Sequence, residues 1–162
     1  MGLGYIRTCP KCGFEYQFST GVGLMFPKVY AETVQKAKSG ELGKELQEFF
    51  KEHEDGAINA ECVNLCCGNC GHLTNDMDLT MYVPNENKPE KLEHSRWTVF
   101  MSFDDTDFVD KSDLEEFYTE HAKYPHKCEK CGGNMKVLSE DSEMMCPECK
   151  VPLEITNHFC WD

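Results

Sequence analysis

Several things are missing from this 162-residue sequence. No apolar run approaches the roughly 18 residues that a bilayer crossing needs, which excludes a membrane span. The first residues, MGLGYIRTCPKC, have no charged segment followed by an apolar one, and Ile6 stands where a myristoylation signal places Ser or Thr. The sequence therefore reads as cytoplasmic. Basic residues are scarce: 16 Lys and Arg stand against 29 Asp and Glu, a formal charge of −13. Such a polyanion is repelled by phosphate backbones, whose neutralisation is the main sequence-independent source of nucleic-acid affinity. The only basic candidates, Lys123, Lys127, Lys130 and Lys136, are scattered near the C-terminus, so nucleic acid is disfavoured as a partner.

Catalytic signatures are missing too. The Gly-rich STGVGLMFP has neither the G-K-[ST] of a phosphate loop nor a G-x-G-x-x-G, and reads as a connecting loop. Six histidines, His53, His72, His94, His121, His126 and His158, are scattered with no Cys or Ser partner at a usable spacing. Cys160, beside Trp161, is the best nucleophile on offer, yet it reads more simply as a spare thiol. The Asp-rich DDTDFVDKSDLEE, counted as a calcium loop from Asp105, has Val109 where a ligand belongs and Asp110 where the sharp turn requires Gly. These gaps argue against an enzyme.

What the chain does have is cysteine, eleven in all, beside a 40% hydrophobic fraction with ten Phe, enough for one ordinary domain or two small ones. Without an export signal, cysteines are metal ligands more readily than disulfides, because cytosolic thiols are kept reduced. Eight fall into four C-x-x-C pairs: Cys9 and Cys12, Cys67 and Cys70, Cys128 and Cys131, Cys146 and Cys149. Two intervening residues let the backbone turn so that both sulfurs reach one ion at about 2.3 Å. A Gly after the second Cys suits the left-handed turn this needs; Gly13, Gly71 and Gly132 supply it, and Lys150 replaces it in the fourth pair. Four pairs predict two four-thiolate sites, which would take the metal-loaded chain to about −17.

The dense stretch CVNLCCGNCGH, residues 62–72, is not a complete site by itself. Read as a strand it points Cys66 and Cys67 to opposite faces and sets Cys62 and Cys66 roughly 13 Å apart, too far for one ion or a mutual disulfide. Cys67 and Cys70 are then expected to complete a site begun by Cys9 and Cys12, with Cys62 and Cys66 as packed thiols. At the C-terminus, Cys128 and Cys131 are expected to join Cys146 and Cys149 across a hairpin turning at SEDSE, with Met135, Val137 and Met145 covering the metal's apolar side.

Between the pairs, Val29, Tyr30, Val34 and Ala37 recur at helical spacing behind Pro27, and Leu42, Leu46, Phe49 and Phe50 repeat the pattern up to Gly56. LTNDMDLTMYVP alternates as a strand ending at Pro84, NENKPEKLEHS is a polar connector, RWTVFMSF a buried strand, and Ser112 with Glu115 a capping box opening SDLEEFYTEHAKY. The expected fold is α+β. Residues 1–83 form a metal domain with a helical hairpin inserted at about 24–56, residues 84–125 a connector with one strand and a short helix, and residues 126–162 a second metal domain.

The motif C-x-x-C-G, hairpin, C-x-x-C resembles the zinc-ribbon superfamily, closely over Lys127–Ile155 and only at the two knuckles and their flanking strands in the N-terminal half. The resemblance implies two structural Zn2+, one bound by Cys9, Cys12, Cys67 and Cys70 and the other by Cys128, Cys131, Cys146 and Cys149. The whole is similar to small bacterial zinc-ribbon proteins, which implies no activity. A non-enzymatic module that binds another protein is the leading expectation. The C-terminal motif is also similar to rubredoxin-type centres, so iron in place of zinc, serving electron transfer, is the alternative, with a nucleic-acid-binding ribbon a third.

Overall fold

The computed structural model describes residues 2–92, 107–139 and 142–161. The chain divides into two units, one of residues 1–24, 61–78 and 125–162, the other of residues 25–60 and 79–124. This division differs from the sequential one expected at residues 83 and 126. Each unit is assembled from segments far apart in sequence, because the strands of each find their partners across those distances. The architecture is α+β, with small antiparallel sheets and short helices.

In the first unit, strands β1 (Gly2–Thr8) and β2 (Glu15–Thr20) form a hairpin around the first C-x-x-C knuckle. The final strand, β9 (Glu154–Trp161), adds to the other edge of β1, pairing Gly2 with Trp161 and Gly4 with Phe159. A β-carbon on Gly2 or Gly4 would collide with the Trp161 or Phe159 ring. Only glycine lets these rings lie against β1, so the alternating glycines of the N-terminus and the alternating aromatics of the C-terminus match each other. A second sheet joins β4 (Cys62–Cys67) to β5 (Leu73–Met77) on one edge and to β8 (Met135–Val137) on the other. A bridge from Gly21 to Cys62 ties the β1–β2 hairpin to β4. Tyr16, Phe18, Leu73, Met144 and Leu153 close a core with Cys9 and Cys146.

In the second unit, helices α1 (Phe26–Ser39) and α2 (Lys44–Glu52) accompany the sheet of β3 (Ala57–Ile58), β6 (Met81–Pro84) and β7 (Tyr118–Ala122). The helices thus share their unit with residues 79–124 instead of forming an insertion in a metal domain. The buried stripe of α1 is Phe26, Tyr30, Thr33 and Ala37; Thr33 takes the inward place expected of Val34, and its hydroxyl donates to the Val29 carbonyl at 2.7 Å. From α2, Leu46, Phe49 and Phe50 are buried, each such side chain contributing about 1.5–3 kcal/mol on leaving water.

Several local expectations change. The run LTNDMDLTMYVP is two strands, β5 and β6, broken where buried Leu79 takes a left-handed φ of 59° as the chain leaves one unit for the other. Helix α3 (Lys111–Phe117) begins two residues earlier than expected: Asp110 is its cap and Asp113 completes the capping box, because Asp110 accepts from the N–H groups of Ser112 and Asp113. YTEHA, expected to be helical, is β7. RWTVFMSF, residues 96–103, and Asp105 lie outside the described residues. No helix among the described residues is long and apolar enough to cross a membrane.

Candidate metal centres

Each C-x-x-C pair sits in a knuckle of one repeated geometry. The first Cys donates its N–H to the carbonyl five residues on, and its own carbonyl accepts from the N–H four residues on. This holds for Cys9 with Phe14 and Gly13, Cys67 with His72 and Gly71, Cys128 with Gly133 and Gly132, and Cys146 with Val151 and Lys150, at 2.8–3.0 Å throughout. The residue after the second Cys is left-handed each time, with φ of 74° at Gly13, 73° at Gly71, 70° at Gly132 and 56° at Lys150. Lys150 accepts this conformation although a side chain there meets more steric resistance than glycine does. The first sulfur of each knuckle faces inward: Cys9, Cys67 and Cys128 are 2% exposed and Cys146 is fully buried.

The knuckles meet two by two, but not in the expected order. Cys9 and Cys12 gather with Cys146 and Cys149, and Cys67 and Cys70 gather with Cys128 and Cys131, all four sulfurs of each group lying within 4.8 Å of one another. The sulfurs of Cys12 and Cys146 are 3.7 Å apart, those of Cys67 and Cys131 3.5 Å, and those of Cys70 and Cys128 3.7 Å. A tetrahedral ion with metal–sulfur bonds near 2.3 Å needs sulfur–sulfur edges of about 3.8 Å. Each quartet is therefore suited to hold a zinc ion. The pairings of Cys9 and Cys12 with Cys67 and Cys70, and of Cys128 and Cys131 with Cys146 and Cys149, are overturned.

The reason lies in strand pairing. After the Cys128 knuckle the chain does not fold back into its own hairpin; β8 pairs with β4, setting Met135 opposite Cys67, and this carries the third knuckle to the second. The β1–β9 pairing correspondingly brings the fourth knuckle, just ahead of β9, to the first. Val137 and Met145, expected to cover a metal, are 45% and 39% exposed. Two contacts of the second quartet escaped sequence reasoning: His72 Nε2 lies 3.1 Å from Glu129 Oε1, joining its two halves, and Lys150 Nζ donates to the Cys70 carbonyl at 3.4 Å, joining the two centres. The glycines of β1 and the aromatics of β9 were the legible signal for the observed pairing, since each set explains the other.

The electrostatics fit cation binding. Burial works against the Cys9 thiolate, yet N–H donors from Cys12 and Lys11 and sulfur contacts to Cys12 and Cys146 hold its pKa at about 7. The Cys70 N–H does most for Cys67, which against the cost of burial is held at about 6 with help from the Asn69 N–H and the sulfurs of Cys131 and Cys70. At Cys131 a Gly133 N–H is outweighed by the crowding sulfurs of Cys67, Cys70 and Cys128, which push it to about 12. A dication relieves that crowding by letting all four sulfurs ionise together.

The remaining cysteines stand apart from both quartets. Cys62 and Cys66 are half-buried, and burial raises both thiols; Cys160 is exposed on β9. Of the histidines, His53 and His121 pack as rings against Phe49, and buried His126 lies 2.8 Å from the Asp78 carbonyl. A family of zinc ribbon domains, the A2-L zinc ribbon, matches the chain over residues 123–151, a span that takes in both C-terminal knuckles. No curated protein and no solved structure matches the chain significantly.

Proposed function

The chain is a zinc-ribbon protein with two four-cysteine centres, and from that premise we propose that it is a non-enzymatic, zinc-stabilised module that binds another protein. The observation that carries this reading is the closure of both quartets. With four protein sulfurs around each position, no site is left for a water or substrate, and an ion held so contributes folding free energy instead of Lewis-acid chemistry. The ligands join segments otherwise held by short strands, which is where such stabilisation counts most. The acidic balance of the chain supports a protein partner over a nucleic acid, and exposed Leu3 and Ile155 on the first sheet supply apolar contact surface.

The experiment is elemental analysis of protein purified without chelator, followed by nuclease-treated affinity capture. Two zinc per chain and no visible absorption are expected; a visible thiolate-to-iron band establishes the electron-transfer alternative instead. A defined protein retained after nuclease treatment supports the partner reading, and nucleic acid retained at moderate salt overturns it.

A further inference from the structure

Four equivalent knuckles can be joined two by two in three ways, and the fold uses one. A second way is also complete: Cys128, Cys131, Cys146 and Cys149 around one ion, Cys9, Cys12, Cys67 and Cys70 around the other. It satisfies every metal–sulfur bond that the observed pairing satisfies, since the knuckles share one backbone geometry. Its first quartet closes only over residues 132–145, whereas the observed quartets close over residues 71–127 and 13–145. With loop-closure probability falling as the three-halves power of length, the local quartet is favoured in an unfolded chain roughly eightfold over one observed quartet and roughly thirtyfold over the other. The zinc-ribbon family match, residues 123–151, covers this local set with its intervening chain.

What selects the observed pairing is formed only on folding: the β8–β4 ladder, the Gly68 N–H to Asn134 and Leu138 N–H to Asn64 bonds, the β1–β9 ladder, and the burial of Met144 against Tyr16, Phe18 and Leu153. We propose that the chain takes up zinc first in a transient ribbon of Cys128, Cys131, Cys146 and Cys149, and reaches its final fold by exchanging knuckles between the two ions. In the exchange each zinc releases two thiolates and accepts two. Four zinc–sulfur bonds break and four form, with no change of oxidation state and no net proton transfer. The contact of Lys150 with the Cys70 carbonyl places the exchanging knuckles side by side in the finished fold. The inference rests on the zinc reading above.

The test is pulse alkylation of the full chain. Reduced, metal-free, denatured protein is diluted into buffer with one equivalent of zinc, and N-ethylmaleimide is added after increasing delays, with labelled cysteines located by peptide mass. At the shortest delays, labelling of Cys128, Cys131, Cys146 and Cys149 is expected to be at least about tenfold below that of Cys9, Cys12, Cys67 and Cys70, consistent with the loop-length advantage. Early joint protection of Cys67 and Cys70 with Cys128 and Cys131 overturns the proposal. A variant with Cys9→Ser and Cys67→Ser, which breaks both observed quartets but not the transient one, is expected to keep one zinc with Cys12 and Cys70 open to the reagent; protection of Cys12 together with Cys146 and Cys149 overturns it. A chain that ends with two zinc and never shows the early quartet refutes this inference alone, whereas one that takes no zinc refutes the functional reading as well.

Discussion

Lys150 occupies the position that Gly13, Gly71 and Gly132 occupy in the other knuckles, at a φ of 56°. Its ammonium contact to Cys70 is exposed and long at 3.4 Å, so it contributes little, while the left-handed backbone costs a side-chain-bearing residue about 1 kcal/mol. Lys150→Gly is therefore expected to stabilise the zinc-loaded protein by up to about 1 kcal/mol, read as a higher thermal midpoint; a fall would show that the Cys70 contact outweighs the backbone term. The thiols respond to pH in one direction. Cys9 and Cys67 are lowered from 9.0 to about 7 and about 6, so their contribution is complete above the unfolded value and is lost as pH falls through the folded ones. Zinc retention should accordingly be full at pH 8 and fail on acidification below about 6, as a zinc-sensitive dye would report.

At the scale of elements, the β1–β9 pairing depends on rings lying over glycines. Gly4→Ala drives a methyl into the Phe159 ring, an overlap expected to cost about 1–3 kcal/mol. Combined with Phe159→Ala, the loss should be less than the sum of the two single losses, because the second change removes the obstacle; strictly additive midpoints in denaturant would show that the ring does not cover Gly4. The helices were legible from their spacing, since three of the four apolar residues marked for α2 are buried. The strand break at Leu79 was not, because nothing local in DLTMY announces a left-handed leucine, and only its burial compensates the backbone. The start of α3 was misplaced for a related reason: Asp110 and Ser112 are both good caps, and the flanking structure chose between them.

For the whole molecule, the decisive measurement is which cysteines share an ion. A variant carrying Cys9→Ser and Cys146→Ser loses one quartet and keeps the other, so it is expected to retain one zinc protected by Cys67, Cys70, Cys128 and Cys131. The pairing read from sequence would leave this variant no intact quartet. Chelation of both ions should unfold the first unit, whose strands are short, with loss of near-ultraviolet dichroism.

Sequence alone determined the eight ligands, the number of centres and the shape of each knuckle, because those depend on chemistry within six residues. It did not determine which knuckle meets which. Four interchangeable turns carry no label, and nearness along the chain favours the wrong partner. The tertiary structure decided the matter through β8 joining β4 and β9 joining β1, contacts whose free energy exists only after the distant segments have come together.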